Sequence, residues 1–77
     1  MDVRRAFGER VRRLRLQRQL SQEGLAERAE LHWTYVSGVE RGRRSPGLNV
    51  LVRIAGALDV SLGKLVDGLD GDRPARR

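Results

Sequence analysis

Apolar side chains recur along most of the chain at helical spacing, and nowhere with the period of two that a half-buried strand requires. Val3, Phe7, Val11 and Leu14 draw one stripe along a helix predicted over 3–18, whose other faces are largely arginine. Ser21 offers a capping hydroxyl to a short second helix over 22–29, with Leu25, Ala26 and Ala29 turned inward. A brief break near Glu30 and Leu31 leads to a third helix over 33–41, with Val36 and Val39 inward and Gly42 placed to end it. Pro46 pushes Ser45 off helical angles, so 42–47 reads as loop. Leu48, Leu51, Ile54, Ala55 and Leu58 give a fourth helix its apolar face, and Ser61 caps a fifth, containing Leu62, Leu65 and Val66, that stops at Gly68. The pattern predicts an all-α, five-helix domain over 1–69, followed by a charged, disordered tail over 70–77.

Length and composition narrow this further. A chain of 77 residues has room for one core. A domain of this size buries only about 60% of its unfolded surface, so self-association would help it. With 39% hydrophobic and 34% charged residues the chain has a globular composition, and with single Phe, Tyr and Trp residues its core must be aliphatic. Lack of cysteine and a single histidine, His32, exclude disulfides, thiol nucleophiles and the usual zinc sites. No paired-carboxylate site stands in for them, so neither an enzyme nor a cofactor is expected, and no metal. No apolar run approaches the roughly 20 residues of a membrane span, and no signal core follows the first arginines, so a cytoplasmic location is expected. No sensing domain for a small-molecule effector is evident.

Charge adds a partner. The chain carries +6, and fifteen of its 16 basic residues are arginine, Lys64 being the lysine. Residues 1–18 hold seven arginines against Asp2 and Glu9; Arg41, Arg43 and Arg44 follow the third helix; the second helix is net acidic. Such an excess points to a polyanion.

Helices two and three with their tight turn have the spacing of a helix-turn-helix, whose second helix enters the DNA major groove. Helical proteins also contain such pairs by accident, so geometry alone leaves DNA binding open. The string itself says more. Leu20-Ser-Gln-Glu-Gly-Leu-Ala-Glu-Arg-Ala-Glu-Leu-His-Trp-Thr-Tyr-Val-Ser-Gly-Val-Glu-Arg-Gly42 is followed by Arg44-Ser-Pro46 and by Leu51-Val-Arg-Ile-Ala-Gly-Ala-Leu-Asp-Val-Ser-Leu62. From about Arg10 to Leu65 the chain resembles the phage-repressor and Cro-like (Xre) helix-turn-helix family, and Thr34 to Gly42 looks most like restriction-modification controller proteins.

The resemblance implies a homodimer on a roughly palindromic operator in double-stranded DNA. Base readout then maps onto Trp33, Thr34, Ser37 and Gly38. Thr34 and Ser37 are short donors and acceptors opposite Val36 and Val39, the chemistry either of base edges or of an ordinary solvated face. Gly38 either permits close backbone approach or is merely tolerated. Trp33 departs from the basic residue often found there; it stacks on sugar or a thymine methyl, or covers the helix start. Tyr35 is expected at the domain edge with its hydroxyl toward a phosphate. Further phosphate contacts are expected from Gln22 and the free N–H groups at the start of helix two, from Arg41, Arg43 and Arg44, and from Arg10 on helix one. In related controllers the positions matching Arg41 and Arg44 also reach bases. The family's glutamate at Glu40 pairs with an arginine of helix one, here Arg15, which implies a structural ion pair. Gly24 replaces the glutamate that completes a capping box with Ser21, and Glu30 replaces the glycine that ends helix two; both weaken helix two. A dimer interface is expected on helix five, through Leu62, Leu65, Val66 and Leu69. The rival reading is an antitoxin-like subunit that holds a protein partner and binds DNA secondarily.

Overall fold

Five helices and no strand make up the described residues, 2–70, of the computed structural model. They are α1 (Val3–Gln17), α2 (Gln22–Ala29), α3 (Trp33–Glu40), α4 (Leu48–Ala57) and α5 (Leu62–Val66). The expected tail lies, from residue 71 onward, outside these residues. No described helix is long and apolar enough to cross a membrane. α3 is held from two sides, packing against both α1 and α2; α2 also meets α4, and α5 closes the core against α4 and α1.

Phe7, Val11 and Leu14 of α1 meet Leu25, Val36, Val39, Ile54, Leu58 and Leu65 in one buried cluster. Two residues of the predicted stripes stay outside it. Val3 and Leu48 are largely exposed because each opens its helix, where the chain has not yet closed onto the core. Helices α1 and α3 each end one residue earlier than their periodicity predicts, at Gln17 and Glu40.

The helix starts follow local chemistry. Asp2 accepts a hydrogen bond from the Arg4 N–H at 3.0 Å, Ser21 from the Gly24 N–H at 2.9 Å, and Ser61 from the Lys64 N–H at 3.0 Å. α3 is capped by His32, whose ring accepts from the Thr34 N–H.

The helix ends share a device that the sequence hides. Leu20, Leu31, Arg43 and Val60 each return an N–H to the carbonyl five residues back, on Arg15, Ala26, Gly38 and Ala55. This closure requires a left-handed residue just before it. Of these four closures glycine supplies that conformation at one, Gly42 (φ 76°), whereas Gln19 (φ 58°), Glu30 (φ 58°) and Asp59 (φ 60°) adopt it with a side chain, at a cost of about 1–2 kcal/mol each. Each of these three turns is clasped by an arginine, the first by one of its own residues and the other two by arginines distant in the chain. Arg15 donates to the Leu20 carbonyl at 2.8 Å, Arg53 to those of Ala29 and Glu30, and Arg18 to those of Leu58 and Asp59 at 2.9 and 3.1 Å. A cation on the carbonyl end of a helix also meets the negative pole of its dipole. Glu30 therefore ends α2 without the family's glycine because Arg53 holds the turn.

Candidate nucleic-acid interface

The position of α3 is set at backbone level. Gly8, in the middle of α1, lies so close to the end of α3 that a Cβ built on it would stand 2.3 Å from the Val39 carbonyl oxygen and 2.7 Å from that of Glu40. Only a glycine lets the two helices approach this far. Beside this crossing, Arg15 grips Glu40 with two parallel bonds, Nε to Oε2 at 2.6 Å and Nη2 to Oε1 at 3.0 Å. The Gln22 amide adds a third donor to Glu40 Oε1 at 3.1 Å. Both charged side chains are nearly closed from solvent, at 9% and 3% exposed. One carboxylate thus ties α1, α2 and α3 together, and the single acidic group of α3 is turned away from its outer face.

That outer face carries Trp33, Thr34 and Ser37, with Val36 and Val39 buried behind them. Thr34, Ser37 and Arg41 follow at spacings of three and four, so they form one stripe along the helix. Trp33 is half-exposed and stacks on the His32 ring, with centroids 6.2 Å apart, so it covers the start of the helix and still presents a face outward. The loop beyond α3 adds the exposed Arg43 and Arg44. The result is a neutral polar helix face bordered by guanidinium groups, which suits duplex DNA: small side chains toward base edges, cations toward phosphates.

Several residues expected at this face serve other ends. Gly38 is buried, and its open side is filled by the stem of Arg44, whose Cγ would lie 2.8 Å from a built Cβ. Its purpose is to let Arg44 cross the helix rather than to bring backbone to a base. Arg44 then sits 5.4 Å from the centroid of the Tyr35 ring, a cation–π contact. Tyr35 itself is half-buried against the core edge. The Gln22 amide nitrogen is engaged by Glu40, and among the N–H groups that open α2 that of Gly24 is taken by the Ser21 hydroxyl. Arg10 is not part of the face: its guanidinium donates to the carbonyls of Lys64, Leu65 and Asp67 at 3.1, 3.2 and 2.8 Å and ends α5. Leu65 is fully buried in the core of its own protomer and cannot serve an interface between copies. Leu62, Val66 and Leu69 are half-buried, the last two lining an apolar groove with Val3, Phe7, Pro46 and Leu51.

Gly8, the His32 cap and the carbonyl-binding Arg18 and Arg53 are absent from the residues singled out by sequence. A glycine within the apolar stripe of α1 is a usable signal for a close helix crossing. The contacts of Arg18 and Arg53 have none, because their acceptors are backbone atoms 23 to 41 residues away.

The Gly38 arrangement gives a testable separation. Gly38→Ala should raise folding stability by up to about 1 kcal/mol through helix propensity. It should also lower DNA affinity about tenfold, the equivalent of about 1.4 kcal/mol, because Arg44 must leave its place. Urea denaturation and fluorescence anisotropy read the two effects independently.

Comparison with known proteins agrees with this geometry. Residues 11–65 match the Helix-turn-helix family. Control protein C.BamHI of Bacillus amyloliquefaciens is 42% identical over 67 residues, spanning 86% of this chain and 83% of its own length. Control protein C.SmaI of Serratia marcescens is 44% identical over 66 residues, with 86% and 79% covered. The crystal structure of the restriction-modification controller protein C.AhdI from Aeromonas hydrophila superposes with a TM-score of 0.79 at 44% identity, over 80% of this chain and 94% of that one. With the family match and the fold in agreement, the chain belongs to the helix-turn-helix family of DNA-binding transcription regulators.

Proposed function

We propose that the protein acts as a homodimer on a roughly palindromic operator, one α3 per half-site, and regulates a restriction-modification system, the role for which the similar controller protein C.AhdI is named. The observation that carries the dimer is an apolar surface left open on α4. Leu48 and Val52 are 67% and 53% exposed and lie four residues apart on one helix face. Leu51 continues that surface into the groove lined by Val66 and Leu69. A self-complementary patch of this kind on a small basic protein fits a second copy related by a two-fold axis. The axis sets two α3 helices about one turn of DNA, roughly 34 Å, apart.

In this reading Thr34, Ser37 and Trp33 meet base edges, Arg44 and Arg41 reach bases or phosphates at the groove edge, and Arg43, Tyr35 and the start of α2 hold the backbone. Selection of bound sequences from random DNA should return a symmetric site. The logarithm of affinity should fall with the logarithm of salt at a slope of about −5 to −7 if the dimer neutralises about 6–8 phosphates. Val52→Glu should give a folded monomer in sedimentation at micromolar concentration, with operator binding lost. A Val52→Glu protein that stays dimeric and binds normally would refute the interface, and an asymmetric selected site would refute the two-fold arrangement.

A further inference from the structure

We propose that His32 is a specificity-determining positioning residue: by accepting the hydrogen bond of the Thr34 hydroxyl it leaves Thr34 a pure hydrogen-bond acceptor that selects an amino-bearing base. The inference rests on the reading of Thr34 as a base contact and adds what that contact recognises.

The argument starts from one nitrogen. The Thr34 backbone N–H donates to His32 Nδ1 at 3.2 Å, the cap of α3. A nitrogen that accepts an N–H carries its lone pair, so the contact geometry assigns the ring N–H to Nε2. Thr34 Oγ1 lies 2.7 Å from the same Nδ1. With no proton on that nitrogen, the hydroxyl must be the donor of the short contact. A hydroxyl has one proton and two lone pairs. Once its proton is directed at His32, Thr34 has only lone pairs to present outward, and both Thr34 and His32 are exposed on the face that meets the groove.

In the major groove the donors are the exocyclic amino groups of adenine (N6) and cytosine (N4), whereas guanine O6 and N7 and thymine O4 are acceptors. A free threonine hydroxyl serves either class by rotation. Held by His32, it discriminates amino from keto bases at its contacted position, and each base pair offers one of each on opposite strands. Thr34 therefore reads which strand carries the amino group. The ring also stacks on Trp33 at 6.2 Å between centroids, which holds its plane relative to the helix start.

Three variants separate the parts. Thr34→Val keeps the shape and methyl and deletes the hydroxyl. His32→Phe keeps a ring against Trp33 and deletes the acceptor. His32→Asn deletes the ring and keeps an acceptor, Oδ1, at the same number of bonds from the backbone. Each is selected against random duplex DNA at a temperature where its circular dichroism shows the folded state. The wild type should prefer adenine or cytosine about tenfold, one hydrogen bond's worth, at a half-site position that becomes indifferent in Thr34→Val. His32→Phe should reduce that preference to about twofold or less, since the released hydroxyl also donates, and His32→Asn should restore it. A Thr34-dependent position that prefers purine over pyrimidine, or A·T over G·C whichever the strand, instead of separating adenine and cytosine from guanine and thymine along one strand, overturns the proposal. So does a His32→Phe profile identical to wild type, or a His32→Asn profile as indifferent as that of His32→Phe. If a sequence-specific site is recovered with no position sensitive to Thr34→Val, this inference fails and the regulator reading survives; if no specific site is recovered, both fail.

Discussion

Replacing Gly8 with alanine should destabilise the protein by about 3 kcal/mol or more, at the upper end of overpacking effects. A mid-helix glycine-to-alanine change normally gains about 1 kcal/mol. Here the added methyl would lie 2.3 Å from one backbone carbonyl oxygen and 2.7 Å from another. Neither atom is the end of a flexible side chain, so α1 and α3 must move apart along their whole contact. Opening that crossing would loosen the packing of Phe7 and Val11 against Val39, and would stretch the Arg15–Glu40 pair beside it. A domain of this size has a total stability of about 4–12 kcal/mol. The midpoint of thermal unfolding should therefore fall by about 12–24 °C. Any fraction that remains folded should bind operator more weakly, because α3 is displaced relative to the start of α2. A melting temperature unchanged or raised in Gly8→Ala would show that the two helices tolerate separation.

The second large effect is expected at the buried ion pair. Glu40→Ala should cost about 3–5 kcal/mol, mostly because Arg15 would be left as an uncompensated charge. Arg15 would keep only its bond to the Leu20 carbonyl, and Gln22 would lose its acceptor. Removing both charges together, as in Arg15→Met with Glu40→Leu, should recover much of the loss, since no unpaired charge then remains in the interior. A double-mutant cycle followed by urea denaturation isolates the coupling. Single-variant losses that simply add would mean that the pair contributes little beyond packing. Glu40→Gln is the mildest probe, retaining an acceptor for one guanidinium bond, and it should lower stability and operator affinity together because the same contact orients α3.

Where an element rests on local chemistry, its residues were readable in advance. Ser21 followed by Leu25, Ala26 and Ala29 specifies α2 to the residue, because a hydroxyl cap and an inward stripe are both written within nine positions. Val36 and Val39 likewise specify which side of α3 faces in, and so which side faces out. The features that escaped depend on atoms far away in the chain. Gly8 is explained by two carbonyls of α3, and Gly38 by the stem of Arg44, so neither reveals its purpose beside its own neighbours. Leu48 has the spacing of a core residue and lies outside because α4 starts there, an effect of element length rather than of period. Arg10 and the arginines that follow α3 look alike in sequence; only the carbonyls at the end of α5 distinguish Arg10.

The clasped helix ends bear on why this chain carries fifteen arginines and a single lysine. Arg18 and Arg53 each span two successive carbonyls, and Arg10 reaches three, with one planar group. An ammonium is a compact point charge and lacks that rigid fork. A version with lysine at Arg10, Arg18 and Arg53 would keep the net charge and the long-range attraction to DNA, yet leave the left-handed turns at Glu30 and Asp59 without their bridges. The choice between two cations of equal charge is thus made inside the protein, by its own backbone, before any nucleic acid is met.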